Sequence, residues 1–178
     1  MTIMDLAEVT KEQVDIAGGK GANLGELINT GFPVPPGFVI GADEYSAVIT
    51  HLDIPANDDF TEDSNDFLEN IRNQILATQL SDNLTRDIAL HHEALATRRS
   101  KEQVYAGRSS ATAEDLADAS FAGQHDTYYY VSPDSLVGMV KKCWASLWSE
   151  AAFSYRHSHG IEHRSVNMAV VVQEMVLS

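Results

Sequence analysis

The spacing of apolar residues predicts helices through the first half of the chain. Three apolar residues share one face of a predicted helix over residues 22–29, which Gly31 is placed to end. A further helix is predicted over residues 42–50. Helical spacing returns in two later segments, whose apolar positions are Phe67, Leu68, Ile71, Ile75 and Leu76, and then Leu84, Ile88, His91 and Leu95. The last two helices are expected to cover one side of a sheet.

Short apolar runs predict the strands of that sheet. Phe38–Ile40 follows a cluster of prolines that favours extended backbone, and it is predicted to be a buried strand. Met168–Val172 is continuously apolar, which is typical of a central strand. Two more strands, Gln103–Ala106 and Thr127–Val131, are predicted to flank a long loop.

A cap residue followed by proline, Ser132-Pro133, marks the start of a helix that is predicted to continue to about Arg156. Together with the strands, the predicted helices indicate an α/β fold in the broad sense. We expect one domain over residues 1–178, in which helices lie on the faces of a mixed sheet.

The composition excludes several classes of protein. A chain of 178 residues, of which 44% are hydrophobic, can bury a sizeable core. No apolar run approaches the roughly 20 residues that span a bilayer, and the N-terminus lacks the basic start and apolar core of a signal peptide. The single cysteine, Cys143, excludes an internal disulfide framework. These features predict a cytoplasmic protein that does not bind a membrane.

The charge balance directs the search for a ligand site. Twelve basic and 26 acidic side chains give a formal net charge of −14, which argues against nonspecific binding of nucleic acid. The overall field also repels anionic ligands. A site for an anion must therefore depend on local donors, and this makes Lys20 and Arg108 the cations of most interest.

Arg108 opens a segment that is dense in polar groups, RSSATAEDLADASFAGQHD. Three hydroxyls follow it within four residues, and a Gly123-Gln124 turn comes later. An arginine at a strand end, followed by hydroxyls and exposed backbone N–H groups, suits an oxyanion such as a phosphate. The alternative is a structural salt bridge from Arg108 to a nearby carboxylate such as Glu114 or Asp115.

Lys20 lies between glycines in Gly18–Gly21, which is predicted to be a tight turn before a helix. A lysine in this position can point at a phosphate near the helix N-terminus. The segment is not a P-loop, because no serine or threonine follows the lysine, and it is not a dinucleotide fingerprint. From the spacing alone, an exposed lysine without a role is the simpler interpretation.

Three segments of the chain together resemble one enzyme family. They are GGKGANLGEL with GFPVPPGF, RSSATAED with ASFAGQ, and VVVQEMV near the end of the chain. Their sequences and their order are similar to the ATP-binding domain of the phosphoenolpyruvate synthase (pyruvate, water dikinase) and pyruvate phosphate dikinase family, of which rifampin phosphotransferase is a close relative. The resemblance implies an ATP-grasp-like nucleotide-binding domain, of which residues 1–178 would be the N-terminal portion.

The resemblance gives roles to residues near the phosphates. Lys20 and Arg108 match the family's phosphate-binding lysine and arginine, and they would hold and polarise the phosphates of ATP. Gly123 and Thr127 match a loop over those phosphates, although a plain hairpin turn is the alternative. The family usually has a branched apolar residue before the arginine, where this chain has Gly107, and we expect the glycine to loosen the strand locally.

The resemblance also gives a role to the end of the last strand. Gln173, Glu174 and Val176 match a hinge that holds adenine through backbone groups and apolar side chains. A plain strand terminus is the alternative, because any strand end can have this pattern. Two further departures, Ala117 and His125, stand where the family more often has proline and glutamine.

The activity that the resemblance implies is phosphoryl transfer of the dikinase type. In that family ATP donates its β-phosphoryl group to a histidine on a separate domain, and pyruvate then accepts it, so that ATP, pyruvate and water give phosphoenolpyruvate, AMP and phosphate. The ligands of Mg²⁺ are expected in a C-terminal half beyond this chain, so the isolated chain is expected to be inactive. Two alternatives stay open, which are rifampin phosphotransferase or another dikinase, and a noncatalytic module that binds nucleotide or partners.

The histidines add no further site. None of them has the Thr-Ser-His-like context of the family's phosphate carrier. His157, His159 and His163 form a cluster that zinc could bind, but a solvated helix end is the preferred interpretation, and no metal ligand is predicted in the chain. The acceptor is expected to bind to domains outside it. A half-domain would expose a sheet edge and apolar surface, so self-association is expected to be a risk.

Overall fold

The computed structural model describes residues 2–54, 65–96, 104–113 and 127–176. Within these ranges the strands form one sheet, and helices pack against it. The strands are β1 Ile3–Asp5, β2 Gly37–Ile40, β3 Tyr105–Ala111, β4 Thr127–Val131 and β5 Met168–Glu174. The α-helices are α1 Val14–Asn29, α2 Ala42–Ile49, α3 Asn65–Ala77, α4 Asp82–Ala96, α5 Leu136–Ala145 and α6 Glu150–Ser158.

The sheet has the strand order β1-β2-β5-β3-β4. β5 lies in its centre and is buried along its whole length, which confirms the prediction of a central strand from Met168–Val172. Each neighbouring pair of strands is antiparallel, so the prediction of a mixed sheet was wrong. An apolar run reports that a strand is buried, but it carries no information about the direction of the neighbouring strands.

Side chains on the two faces of the sheet pack into two separate cores. Along β5, Val170 and Val172 point into the larger core, which residues of α2, α3 and α5 complete. Ala169 and Val171 point to the opposite face, where α1 covers them. This alternation is the two-residue period of a strand. Arg108, the one predicted site residue in β3, pairs with Val171 and so lies on the face that α1 covers.

The C-terminal helical region is divided where one helix was predicted. α5 ends at Ala145, a 3₁₀ turn follows over Ser146–Trp148, and α6 begins after Ser149. The Ser149 backbone is extended, and its hydroxyl accepts a hydrogen bond from the N–H of Ala152 at 3.2 Å. A serine that caps a new helix in this way competes with continuation of the previous one, so the prediction of an unbroken helix to Arg156 was wrong.

Candidate functional site

A sharp backbone turn at Gly18 determines where Lys20 lies. α1 includes one residue with non-helical dihedral angles, Gly18, at φ 68° and ψ 172°. The helix therefore restarts immediately after Gly18, and Lys20 lies in its first turn rather than in a loop before Ala22. A Cβ atom on Gly18 would lie 2.2 Å from the carbonyl oxygen of Ser110. Only glycine combines this positive φ with so close an approach of two backbones.

The hydroxyl of Ser110 ties the turn to β3. It donates a hydrogen bond to the carbonyl oxygen of Ala17 at 2.8 Å and accepts one from the N–H of Gly21 at 3.1 Å. Both bonds are buried, and they join groups on the two sides of the break at Gly18. The start of the Lys20 helix is thereby fixed relative to the strand that carries Arg108.

Lys20 and Arg108 lie close enough to influence each other. Lys20 is half-buried, and this burial lowers the pKa of its amine, with a further lowering from the positive charge of Arg108. Within the described ranges, no ion pair joins either cation to a carboxylate. Two neighbouring cations without a carboxylate repel each other, and a polyanion bound between them would remove that repulsion.

Arg108 lies within β3, two residues beyond the predicted strand end at Ala106. It pairs with Val171 of β5 and with Thr127 of β4, so Thr127 is directly opposite it on the same face. The Nε atom of Arg108 is buried and has no hydrogen-bond partner among the residues that the structure describes. A buried donor of this kind is costly unless a ligand satisfies it.

The three hydroxyls after Arg108 do not gather around its guanidinium. Ser109 is buried, and its position in β3 directs it to the face opposite Arg108. Ser110 is engaged with α1, as described above, and Thr112 donates to the carbonyl oxygen of Asn167 at 3.3 Å. The structure thus gives two of these hydroxyls internal partners. The proposed salt-bridge partners of Arg108, Glu114 and Asp115, lie outside the described residues.

Gly107 has a packing role that the sequence did not reveal. The Met139 side chain of α5 lies against it, so that a Cβ atom built on Gly107 would be 2.0 Å from the sulfur. Gly107 also pairs with Val172 of β5 and Tyr128 of β4. The pairing with β5 is continuous through Gly107, whereas the register between β3 and β4 shifts between Tyr105 and Gly107, so the expected local loosening is found only on the β4 side. On the larger core, Met139 fills the space that a branched side chain would take.

We expect Gly107→Val to lower the free energy of unfolding by about 1–2 kcal/mol, because the new side chain must displace a buried methionine from a packed core. Urea denaturation followed by circular dichroism measures this loss. The double variant Gly107→Val with Met139→Ala should recover part of the lost stability, because the valine then occupies vacated space. A double variant that is less stable than the sum of the two single changes would contradict this packing.

An open cleft of about 350 Å³ lies beside Arg108 on the α1 face. Its lining brings together four of the predicted site residues, Arg108, Gln173, Glu174 and Val176. Most of the remaining lining is apolar and comes from Leu24, Pro33, Val34, Pro35, Ala106, Tyr129 and Met175. The cleft therefore has a cation at one place and apolar walls around it, which is the usual composition of a small-molecule site.

Hydrogen bonds already fix the end of β5 that was predicted to be a hinge. The Gln173 Nε2 donates to the carbonyl oxygen of Pro35 at 3.1 Å. The N–H of Glu174 donates to the oxygen of Pro36 at 3.0 Å, and the N–H of Met175 donates to that of Val104 at 3.0 Å. A ligand that forms hydrogen bonds with the backbone of this segment must therefore bond to its other N–H and C=O groups.

The cleft differs from the sequence prediction in its lining. Lys20 and Thr127, both predicted as site residues, are not among the lining residues. Gly123, predicted to contact the phosphates, lies outside the described residues. Tyr129 and the Pro33–Pro35 wall were not predicted as site residues. The proline cluster was noted for its extended backbone and as part of the segment GFPVPPGF that resembles the family, but not as a wall of the site. The alternation of β4, which places Tyr129 on the same face as Thr127, could have indicated the position of Tyr129.

The histidine cluster separates into surface and interior residues. His157 and His159 are exposed and stack on Phe153 and Tyr155 of α6. His163 is buried, and its Nδ1 accepts a hydrogen bond from the Nε of Arg156 at 3.0 Å. In the described part of the chain, no three His, Cys, Asp or Glu side chains are grouped as metal ligands.

No helix within the described ranges has the length and apolar character needed to cross a lipid bilayer. This finding concerns the helices alone.

Sequence comparisons place the chain among known proteins. The family model described as the pyruvate phosphate dikinase AMP/ATP-binding domain matches residues 14–178. A probable phosphoenolpyruvate synthase of Methanothermobacter thermautotrophicus is 43% identical over 180 residues, which cover 95% of this chain and 26% of the relative. The phosphoenolpyruvate synthase of Pyrococcus furiosus is 36% identical over 96% of this chain and 26% of its own.

A rifampicin phosphotransferase of Streptomyces sviceus is 40% identical over 98% of this chain and 21% of the relative. The chain therefore spans only about a quarter of the length of the curated relatives that it matches. The match to the family model covers most of the chain and includes Lys20, Arg108 and the end of β5. The chain belongs to the pyruvate phosphate dikinase AMP/ATP-binding domain family.

Proposed function

We propose that this chain is the ATP-binding portion of a dikinase-type phosphotransferase, in which Lys20 and Arg108 hold the phosphates. The observation that carries the proposal is that Arg108 lines an apolar cleft and has a buried Nε without a hydrogen-bond partner among the described residues, while its charge lowers the pKa of the half-buried Lys20. In the described ranges neither cation has a carboxylate partner. A triphosphate supplies the negative charge that this pair lacks. The similarity to a rifampicin phosphotransferase supports transfer of phosphoryl groups.

The cleft suits the remainder of the nucleotide. Its volume is at the lower end of the roughly 300–1,000 Å³ typical of ligand sites, and it extends from Arg108 to Val176 past apolar walls. We place adenine at the Val176 end of the cleft, against Gln173, Glu174 and Val176. We place Thr127 beside the phosphates because it lies opposite Arg108. Gly123 keeps its proposed role over the phosphates. The domain organisation that we infer is the N-terminal portion of an ATP-grasp-like unit.

The complete reaction needs groups beyond those described. Bound Mg²⁺ would neutralise charge on the phosphates during transfer, and we place its ligands in residues other than those the structure describes, because no suitable cluster occurs among the latter. Lys20 and Arg108 then orient the three phosphates of ATP and stabilise their negative charge. We propose that the β-phosphoryl group passes to a histidine on another domain and from there to pyruvate.

The acceptor has a second candidate. The 40% identity to a rifampicin phosphotransferase is close to that of the synthases, so this chain's ATP site fits either parent protein. The acceptor would bind to another domain in both cases, and the isolated chain is accordingly proposed to bind ATP without turning it over.

Calorimetric titration of the 178-residue chain with Mg-ATP tests the proposal. We expect saturable binding in the unmodified chain and a loss of affinity on the order of 10–100-fold in Lys20→Ala and in Arg108→Ala, because each removes a charge-assisted contact to phosphate. Lys11→Ala and Arg86→Ala are the matched controls, since each removes an exposed cation away from the cleft. Affinity should be unchanged in both controls.

Two results would contradict the proposal. One is the absence of ATP binding in a chain that circular dichroism shows to be folded. The other is an equal loss of affinity in the controls and the site variants, which would mean that ATP responds to overall charge rather than to the Lys20 and Arg108 pair.

A further inference from the structure

We propose that Tyr129 is the stacking surface for the adenine ring, so that the edge strand β4 sets the preference for a nucleotide over a simple polyphosphate. The inference rests on the proposed function. Tyr129 lines the cleft together with Arg108 and is 59% exposed. An aromatic ring with this much free surface next to a phosphate-binding cation is available to contact the flat part of a nucleotide.

The alternation of β4 places Tyr129 on the face of Thr127, and a β-bulge lies next to Tyr129. Between the pairs Tyr105–Val131 and Gly107–Tyr128, the single residue Ala106 of β3 faces two residues of β4, which are Tyr129 and Tyr130. A bulge of this kind adds one residue to a strand and changes the direction of the neighbouring side chains, and such bulges are common beside functional sites. Tyr129 and the small Ala106 side chain both line the cleft.

The extra residue of the bulge is strained. Tyr130 has φ 56°, the one positive φ at a non-glycine residue in the described ranges. A bulky residue in this region costs on the order of 1–3 kcal/mol and persists where the surrounding structure holds it. Its N–H donates to the Met175 sulfur at 3.1 Å. Because Met175 also lines the cleft, the bulge is fastened to the strand end that we assign to adenine.

The geometry separates the roles of Tyr129 and Arg108. Both lie on the α1 face, but Arg108 is opposite Thr127, whereas Tyr129 is two residues further along β4 toward the Val176 end. The phosphates and the base of one nucleotide therefore meet different parts of the cleft. Loss of the Tyr129 ring should weaken binding of ligands that contain a base and leave a base-free polyanion unaffected.

The test compares Mg-ATP with inorganic triphosphate by calorimetry in Tyr129→Ala and Tyr129→Phe. We expect Tyr129→Ala to weaken ATP binding about tenfold, as the loss of one base-stacking contact does, with triphosphate affinity unchanged. Tyr129→Phe should bind both ligands as the unmodified chain does. Phe32→Ala is the matched control, because it removes an exposed aromatic ring that does not line the cleft.

Each other outcome rejects a specific part of this inference. If the unmodified chain binds ATP and Tyr129→Ala binds it equally well, the stacking role is wrong and the proposed function is unaffected. If Tyr129→Ala loses ATP and triphosphate equally, the ring supports the structure instead of the base. If the unmodified chain is folded and binds neither ligand, the proposed function fails and the role of Tyr129 fails with it.

Discussion

Gly18→Ala is expected to lower the free energy of unfolding by about 3–4 kcal/mol, the largest loss for any single methyl group in the described part of the chain. Two costs add in this variant. Alanine is unfavourable at φ 68°, and its Cβ atom would lie 2.2 Å from the Ser110 oxygen and 2.5 Å from the carbonyl carbon. These two atoms belong to the backbone of β3, within the sheet, so they cannot move aside as a side chain can.

The same substitution should also weaken ATP binding. The Ser110 hydroxyl connects Ala17 and Gly21 across the break, and a displaced Gly18 would move Lys20 away from Arg108. Urea denaturation gives the stability loss, and calorimetry on whatever folded protein remains gives the affinity.

Gly31→Ala is the matched control for Gly18→Ala. Gly31 also has a positive φ, 87°, but a Cβ atom there would meet no atom within 4 Å. This glycine ends α1, where the N–H of Phe32 bonds the oxygen of Leu27 at 3.0 Å. We expect a loss of only about 1 kcal/mol, which is the conformational cost alone. Equal losses in the two variants would show that the close contact with Ser110 contributes nothing.

Local sequence patterns predicted most elements because local physics determines them. The end of α1 at Gly31 and the central position of β5 follow from a glycine with positive φ and from a continuous apolar run. The length of β3 could not be predicted in this way. Polar residues such as Ser110 usually follow a strand, but here a partner on α1 satisfies the hydroxyl, and that partner is 93 residues away in the sequence.

Long-range contacts also explain what was missed at the site. Gly107 was expected to loosen β3, and the register with β4 does shift beside it, but Met139 fills the place of the absent side chain from a helix that sequence patterns place only approximately. The bulge at Tyr130 depends on the register between β3 and β4, and no short pattern specifies a register. The family resemblance predicted that Lys20 and Arg108 bind the same ligand, whereas the sequence around either residue alone indicated no shared site.

A second large effect is expected from pH, through His163. Its ring is buried and stacks on Phe153 at 4.2 Å, and its Nδ1 accepts a hydrogen bond from Arg156. Burial lowers the pKa of His163 to about 4 from an ordinary value of 6.5, with smaller contributions from the charges of Arg156 and His157. Protonation would place a second cation against a guanidinium whose two terminal nitrogens have no hydrogen-bond partner in the described part of the chain.

The direction of the effect follows from proton binding in the two states. Between pH 6.5 and about 4 the unfolded chain binds a proton at His163 and the folded chain does not, so stability is fully present above pH 6.5 and falls as the pH decreases toward 4. At about 1.4 kcal/mol per pKa unit, the total loss is about 3 kcal/mol. Urea denaturation at intervals across this range measures it.

Other groups titrate in the same range, so the contribution of His163 has to be isolated by difference. His163→Gln can still accept a hydrogen bond from Arg156 but cannot take up a proton. Its free energy of unfolding should therefore decline less steeply than that of the unmodified chain between pH 6.5 and 4. His51→Gln, which removes an exposed histidine, should keep the original slope. If His163→Gln also keeps the original slope, protonation of the buried His163 ring costs no stability. The Arg156 guanidinium must then lie farther from the ring than its hydrogen bond to Nδ1 implies.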